Sequence, residues 1–285
     1  MISSKTAHEL LERSRHRPVW SSPYTLVLLL LGMALGASLA NPRGLTENRL
    51  LELLLPQALL AVTAGALWTR ARRQQRIAAA MTSAWEAIQL KDWDRAEQEV
   101  VALLRRPIRP ASARIHVLMM LAAVADSRKE YGVSQEILTS VLGEPGLDPG
   151  TRYAARIALA GTTLRSQQLT DAVRMIDNLS REEVPEPIRA QVELLDLFRH
   201  VVMGQVEDAV EGAEERRVLF RRRLGTRAGY GYALLAAALD RAGQTDRAAE
   251  LWRDATLLIR PTELLDRFGE LATVAKKYPA TEWPV

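Results

Sequence analysis

A small residue returns along this chain at a nearly constant interval. Ala96, Ser134, Ala172, Ala209 and Ala248 are 38, 38, 37 and 39 residues apart. Each closes a comparable stretch: Trp93-Asp94-Arg95-Ala96, Tyr131-Gly132-Val133-Ser134, Leu169-Thr170-Asp171-Ala172, Val206-Glu207-Asp208-Ala209 and Thr245-Asp246-Arg247-Ala248. Recurrence at such a period is the signature of stacked supersecondary units, none of which can bury its apolar face alone. No alternating strand pattern is found beyond residue 77. The chain is therefore expected to be all-α, with about five helix pairs over residues 77–278.

Within each unit a first helix precedes a short polar turn: Lys91-Asp92, Arg128-Lys129, Gln167-Gln168, Gly204-Gln205 and Gly243-Gln244. The second helix opens near an acid or Thr, which suits capping and the helix dipole. It closes near Pro107, Gly143-Glu144-Pro145-Gly146, Pro185 and Pro187, or Pro261. The fourth unit is expected to depart, with a longer second helix running into Arg221-Arg222-Arg223. Thr262 to Lys277 reads as one terminal capping helix, and residues 279–285 as a short tail.

Ahead of the repeats lie two apolar segments. From Pro18 to Pro42 there is no charged residue, and residues 20–40 would span roughly 30 Å as a helix. Trp20 and Tyr24 suit the interfacial aromatic belt. Residues 50–68 form a second segment, interrupted by Glu52, Pro56 and Gln57 and followed by Arg70, Arg72, Arg73 and Arg76. A transmembrane hairpin over residues 19–69 is expected, preceded by a tail of residues 1–18. Flanking arginines and Lys5 place both termini and the repeats in the cytoplasm, because the loop between the segments carries only Arg43 and Arg49. Ser38-Leu39-Ala40 also has the pattern of a signal-peptidase site. Cleavage there would still leave the arginines after Trp68 holding the repeats in the cytoplasm. Gly32, Gly36 and Ala40 share one face of the first segment, as Ala61 and Gly65 do in the second. Such faces let helices approach closely, within the hairpin or between two copies of the chain.

Charge argues against a nucleic-acid partner. The net charge is +4, but residues 1–76 hold ten Lys/Arg against four Asp/Glu, while the rest holds 28 against 30. A duplex-binding surface would need its excess on the folded domain. No cysteine is present, which removes disulfides, thiolate metal sites and cysteine nucleophiles. The four histidines, His8, His16, His116 and His200, have no metal-ligand spacing in the repeats, and no phosphate loop or hydrolase elbow occurs. Gly225, Gly229 and Gly231 follow no strand and read as close-packing positions. Glu182/Glu183 and Glu214/Glu215 read as solvated pairs. No enzyme chemistry, cofactor or metal is expected.

The last unit resembles a tetratricopeptide (TPR) repeat. Tyr232, Leu235, Ala236 and Leu239 stand at that family's first-helix positions, Gly243 at its turn, and Ala248, Trp252 and Ala255 at its second-helix positions. Pro261 falls one residue late. The second unit keeps Leu121, Ala122, Ser134 and Leu138. Its 37–39-residue units exceed the family's usual length, which implies longer connections. The layout, two transmembrane helices and then repeats, is similar to the haem-biosynthesis-associated membrane TPR proteins of bacteria, which implies an inner-membrane location. The resemblance implies a protein-binding groove lined by first helices, here Trp85, His116, Met119, Asp126, Arg165, Gln191, Phe198, Tyr230, Asp240 and Arg241. Trp85 and Phe198 also have a core reading, since aromatics at helical spacing are usually packed. Arg216, Arg217, Arg221, Arg222, Arg223 and Arg227 form the densest basic cluster, a solvated helix end or a site for acidic lipid headgroups. The expected role is a membrane-anchored scaffold for a membrane-associated protein partner. The alternatives are an accessory subunit held through its transmembrane helices and an anionic-lipid-binding module.

Overall fold

The computed structural model describes residues 4–15 and 49–279, and residues 49–62 by their backbone alone. Among the described residues the chain is entirely helical, without strands. It divides into two compact units, residues 5–124 and residues 125–285 with residues 1–4.

In the first unit, α1 (Ser4–Ser14) buries Ala7, Leu10, Leu11 and Ser14 on one face. The helix α2 (Arg49–Gln89) then runs for 41 residues without a break. The sequence had suggested a membrane segment ending at Trp68 and repeats starting at residue 77. One helix covers both, and Ala84 and Ala87 near its end are buried in the first repeat pair. Its partner α3 (Trp93–Leu104) packs on it through Ala96, Val100 and Leu104, and the Asp92 carboxylate accepts from the Arg95 backbone N–H. The unit closes with most of α4 (Ala111–Ser127).

The second unit continues with α5 (Tyr131–Leu142), α6 (Pro149–Arg165), α7 (Leu169–Ser180), α8 (Glu186–Met203), α9 (Val206–Val210), α10 (Ala213–Arg223), α11 (Ala228–Arg241), α12 (Thr245–Leu258), α13 (Pro261–Arg267) and α14 (Ala272–Lys277). Recurring helix pairs of this kind are compatible with an α-solenoid. Helix α11 is buried on nearly every side, from Ala228 to Leu239. Only a helix walled in all round tolerates so apolar a sequence. Gly231 faces the ring of Phe220, where a Cβ would lie 2.3 Å from Cδ2. Gly229 likewise lets Ile259 approach, so both glycines serve close packing.

The five small residues at the start of the second helices are all buried. The turns before them share one geometry. Lys91, Lys129, Gln167, Gly204 and Gly243 have φ of 58°, 64°, 61°, 71° and 77°. At each, the next backbone N–H donates to the carbonyl five residues back, at 2.9–3.2 Å. This is a helix-ending Schellman turn, repeated five times. The register pairs Lys129 with Glu130 in the second unit, one residue later than Arg128-Lys129.

Two expected elements differ. The fourth unit's second helix is not one long helix. It stops at Val210, and Gly212 takes a left-handed conformation before α10 begins. Arg216 holds the break by donating to the carbonyls of Asp208, Ala209 and Glu211 at 3.1–3.2 Å. The capping segment is likewise two short helices. Phe268 is extended (φ −134°, ψ 94°) between them, which sends its ring inward.

The segment 20–40, with Gly32, Gly36 and Ala40, lies outside the described residues, as do residues 16–19, 41–48 and 280–285. Ala61 lies where the backbone alone is described. At Gly65, nothing among the described residues comes within 4 Å of an added Cβ. Among the described residues no helix is long and apolar enough to cross a membrane.

Candidate functional site

In the second unit the candidate residues lie on the first helices of their pairs. Asp126 and Arg165 form a forked ion pair, with the Arg165 Nη2 donating to both carboxylate oxygens at 2.8 Å. Thr162 Oγ1 donates to the same carboxylate at 2.9 Å. Both partners are largely buried, and such a pair is held together by its geometry and by the third donor. The Gly161 backbone brings α6 close to Leu195 and the Arg165 guanidinium.

Beyond that pair the face is aromatic, and it is covered. The ring of Phe198 on α8 lies 4.7 Å from that of Phe268, centroid to centroid. Tyr230 on α11 meets Phe268 edge-on at 5.8 Å. Offset and edge contacts of this kind add to simple burial. Tyr230 Oη donates to Glu263 at 2.5 Å, and the Arg267 guanidinium sits over the Tyr230 ring at 5.0 Å. Burial first, and then the bond to Glu263, pushes the Tyr230 phenol up to about 12. Asp240, at the end of α11, accepts from Lys277 Nζ and from Tyr278 Oη at 2.7 Å. The Lys277 bond, opposed by desolvation and helped by Tyr278, holds the Asp240 carboxyl below the usual carboxylate range.

The ten residues expected to line a groove thus fall into separate groups. Phe198 and Tyr230 meet Phe268, and Asp240 meets Lys277 and Tyr278, so the C-terminal segment covers all three. Phe198, with both a groove and a core reading, is 4% exposed. Asp126 and Arg165 hold one another. Arg241 donates to the Val201 carbonyl at 2.6 Å. Gln191 is half-buried on α8. Trp85, His116 and Met119 belong to the first unit. Trp85 is 47% exposed there, Met119 half-buried, and exposed His116 bonds to its own helix through the Ser112 carbonyl at 2.8 Å.

The basic cluster also divides. Arg216 is engaged by three carbonyls and by Glu193 at 3.2 Å. Arg217 donates to Glu250 at 3.0 Å and Asp254 at 2.9 Å, and Arg223 pairs with Glu186. The partners come mainly from other helices, and the nearby Glu214 lies 3.9 Å from Arg217. Arg221, Arg222 and Arg227 are exposed and form no ion pair among the described residues. Glu182, read as solvated, is bound at both oxygens by Arg156 at 2.6 and 2.8 Å.

One buried polar contact carries no repeat signal. In the first unit, Arg114 on α4 is 4% exposed. Its Nε donates to Ser14 Oγ at 3.0 Å and its Nη2 to the Leu11 carbonyl at 3.1 Å. The signal was a lone arginine in the apolar run Ala113-Arg114-Ile115-His116-Val117-Leu118. The partners of Tyr230 and Asp240 were also missed, because Glu263, Lys277 and Tyr278 read as parts of a cap. Among the described residues no group of His, Asp and Glu is placed to hold a metal ion. Comparison of the chain with protein-family models, with curated proteins and with solved structures finds no match.

Proposed function

We propose that the chain is a membrane-anchored, TPR-like scaffold that holds a protein partner at the cytoplasmic face of the membrane. The anchoring rests on the apolar residues 20–40 and 50–68, and the Arg114 clasp is compatible with it. The helix α1 precedes both apolar segments and Arg114 follows both, yet they are bonded within one unit. Two chain regions in contact share a compartment, so the crossings between them are even in number. A hairpin of residues 20–40 and 50–68 meets that condition, as does a chain without crossings; a single span does not. The arginines after Trp68 then favour the cytoplasm for both. The repeat reading draws on the five shared turns and on the burial of Tyr232, Leu235, Ala236, Leu239, Ala248, Trp252 and Ala255, the positions that carry the TPR resemblance. Anchoring would raise a partner's effective concentration by restricting it to the membrane surface.

Since the chain has no cysteine, single cysteines report cleanly. With Cys at Asn41 or at Gly146, an impermeant thiol reagent on intact cells should label the first and spare the second. Labelling at Gly146 from outside would overturn the orientation. Crosslinking in native membranes should recover a defined protein.

A second reading is favoured by Arg221, Arg222 and Arg227, which the fold leaves exposed. These three would suit anionic headgroups. Binding of the purified chain to phosphatidylserine-containing vesicles, lost in Arg221→Gln/Arg222→Gln, supports it; binding unchanged in that variant removes it.

A further inference from the structure

The stretch after α12 does more than a repeat array requires. A cap has only to cover the last pair. Here Ile259, extended at φ −138° and ψ 134°, redirects the chain, and the stretch from Pro261 packs back against α11, the first helix of the fifth pair. Phe268 enters between Phe198 of the fourth pair and Tyr230 of the fifth. Farther back, Asp266 comes within 3.5 Å of Lys129 at the second pair's turn, and Arg267 feels the charges of Arg165 and Asp126. The segment has four buried apolar anchors, Leu264, Phe268, Leu271 and Val274. Polar contacts fix both ends: Tyr230 to Glu263 at one, Asp240 to Lys277 and Tyr278 at the other. Three of the residues it covers, Phe198, Tyr230 and Asp240, are among those that the TPR resemblance implies face a partner.

We propose that residues 261–278 are a ligand in cis, occupying the binding face of the fourth and fifth pairs. A protein partner reaches this face by presenting the same chemistry and displacing the segment. That chemistry is a leucine with an aromatic four residues later, an arginine directly before the aromatic, and an acid directly before the leucine, as in Glu263-Leu264-Leu265-Asp266-Arg267-Phe268. The inference rests on the scaffold reading above and adds to it the partner's class and the control of the site. The resident segment lowers the apparent affinity of any competitor by the fraction of time the face is open.

The test uses the full chain in detergent and a fluorescent peptide with the sequence of residues 261–279. The wild-type chain should bind it weakly. Lys277→Ala/Tyr278→Phe removes two polar contacts and leaves the apolar anchors; it should bind the peptide at least about tenfold more tightly. Adding Phe198→Ala should abolish the gain, and so should replacing the peptide's phenylalanine by alanine. Tyr230→Phe, which loses only the Glu263 bond, gives a second route to an opened face, and circular dichroism checks the fold of each variant. Equal affinity in wild type and both opened variants, no binding to any of them, or binding indifferent to the peptide's phenylalanine would each overturn the proposal. Those results leave the cysteine labelling at Asn41 and Gly146 untouched. Conversely, labelling of Gly146 from outside removes the orientation without altering the peptide result.

Discussion

The five turns allow a substitution to be tested in both directions. Gln167 stands at φ 61° and Gly243 at φ 77°, in turns with the same hydrogen bonds. An L-residue with a Cβ costs about 1–2 kcal/mol in this region relative to glycine. Glycine gives back about 0.4–1 kcal/mol through its freer unfolded chain. The Gln167 side chain is exposed and makes no hydrogen bond among the described residues. Gln167→Gly should therefore stabilise its turn by ~0.5–1 kcal/mol. Gly243→Gln should destabilise by a similar amount, for nothing lies within 4 Å of an added Cβ there and only the backbone objects. Stability in repeat arrays is local, so native-state hydrogen exchange is the suitable assay. Protection in α6 and α7 should rise about threefold in the first variant, and protection in α11 and α12 should fall about threefold in the second. The double swap should show both changes, since distant sites add. Loss of protection in Gln167→Gly, or none in Gly243→Gln, would mean that the turns do not set the stability of their pairs.

Gly231→Ala should destabilise by ~1–3 kcal/mol in denaturant unfolding, because the fully buried Phe220 ring cannot yield 2.3 Å from the new carbon, and Phe220→Leu should restore part of the loss. Arg216→Ala should cost about 1 kcal/mol by removing the Nη1 bonds to the carbonyls of the α9 break; exchange there should quicken, and Arg216→Lys should restore only part of it, because a single ammonium cannot hold these carbonyls and Glu193, which Nε reaches, at once. The Tyr230 phenol, raised to about 12, keeps its proton where an unfolded tyrosine loses it, so its contribution is full below about pH 10 and is lost as pH rises towards about 12. Tyr153, Tyr232 and Tyr278 are also raised, so absorbance titration should show several late-ionising tyrosines, the last of which vanishes in Tyr230→Phe. At the other extreme, the lowered Asp240 contributes above the carboxylate range and releases Lys277 and Tyr278 as pH falls through its depressed value, which chemical shifts of the segment would report.

The period was legible because burial selects small residues where helices cross, and the five are all buried. The left-handed turn residues were not, since three of the five are Lys91, Lys129 and Gln167, which carry no glycine signal. The break at Gly212 depends on Arg216 folding back onto carbonyls, a contact that helical periodicity does not encode. First-helix register placed Phe198, Tyr230 and Asp240 on one face. What covers them is read only from contacts 33 to 70 residues apart in the chain, where no repeat spacing applies. Arg114 illustrates the same limit: its meaning comes from Ser14, a hundred residues away.

The unbroken α2 has a mechanical meaning. At 1.5 Å per residue its 41 residues make a shaft roughly 60 Å long, and its ladder, which lacks only the donor of Pro56, resists twisting about the helix axis. Whatever grips its Arg49 end thereby sets the angle at which Trp85 and the first repeat pair are presented at the other. A linker of glycines would let that pair swivel; this one acts as a driveshaft, so a turn applied at one end is delivered at the other.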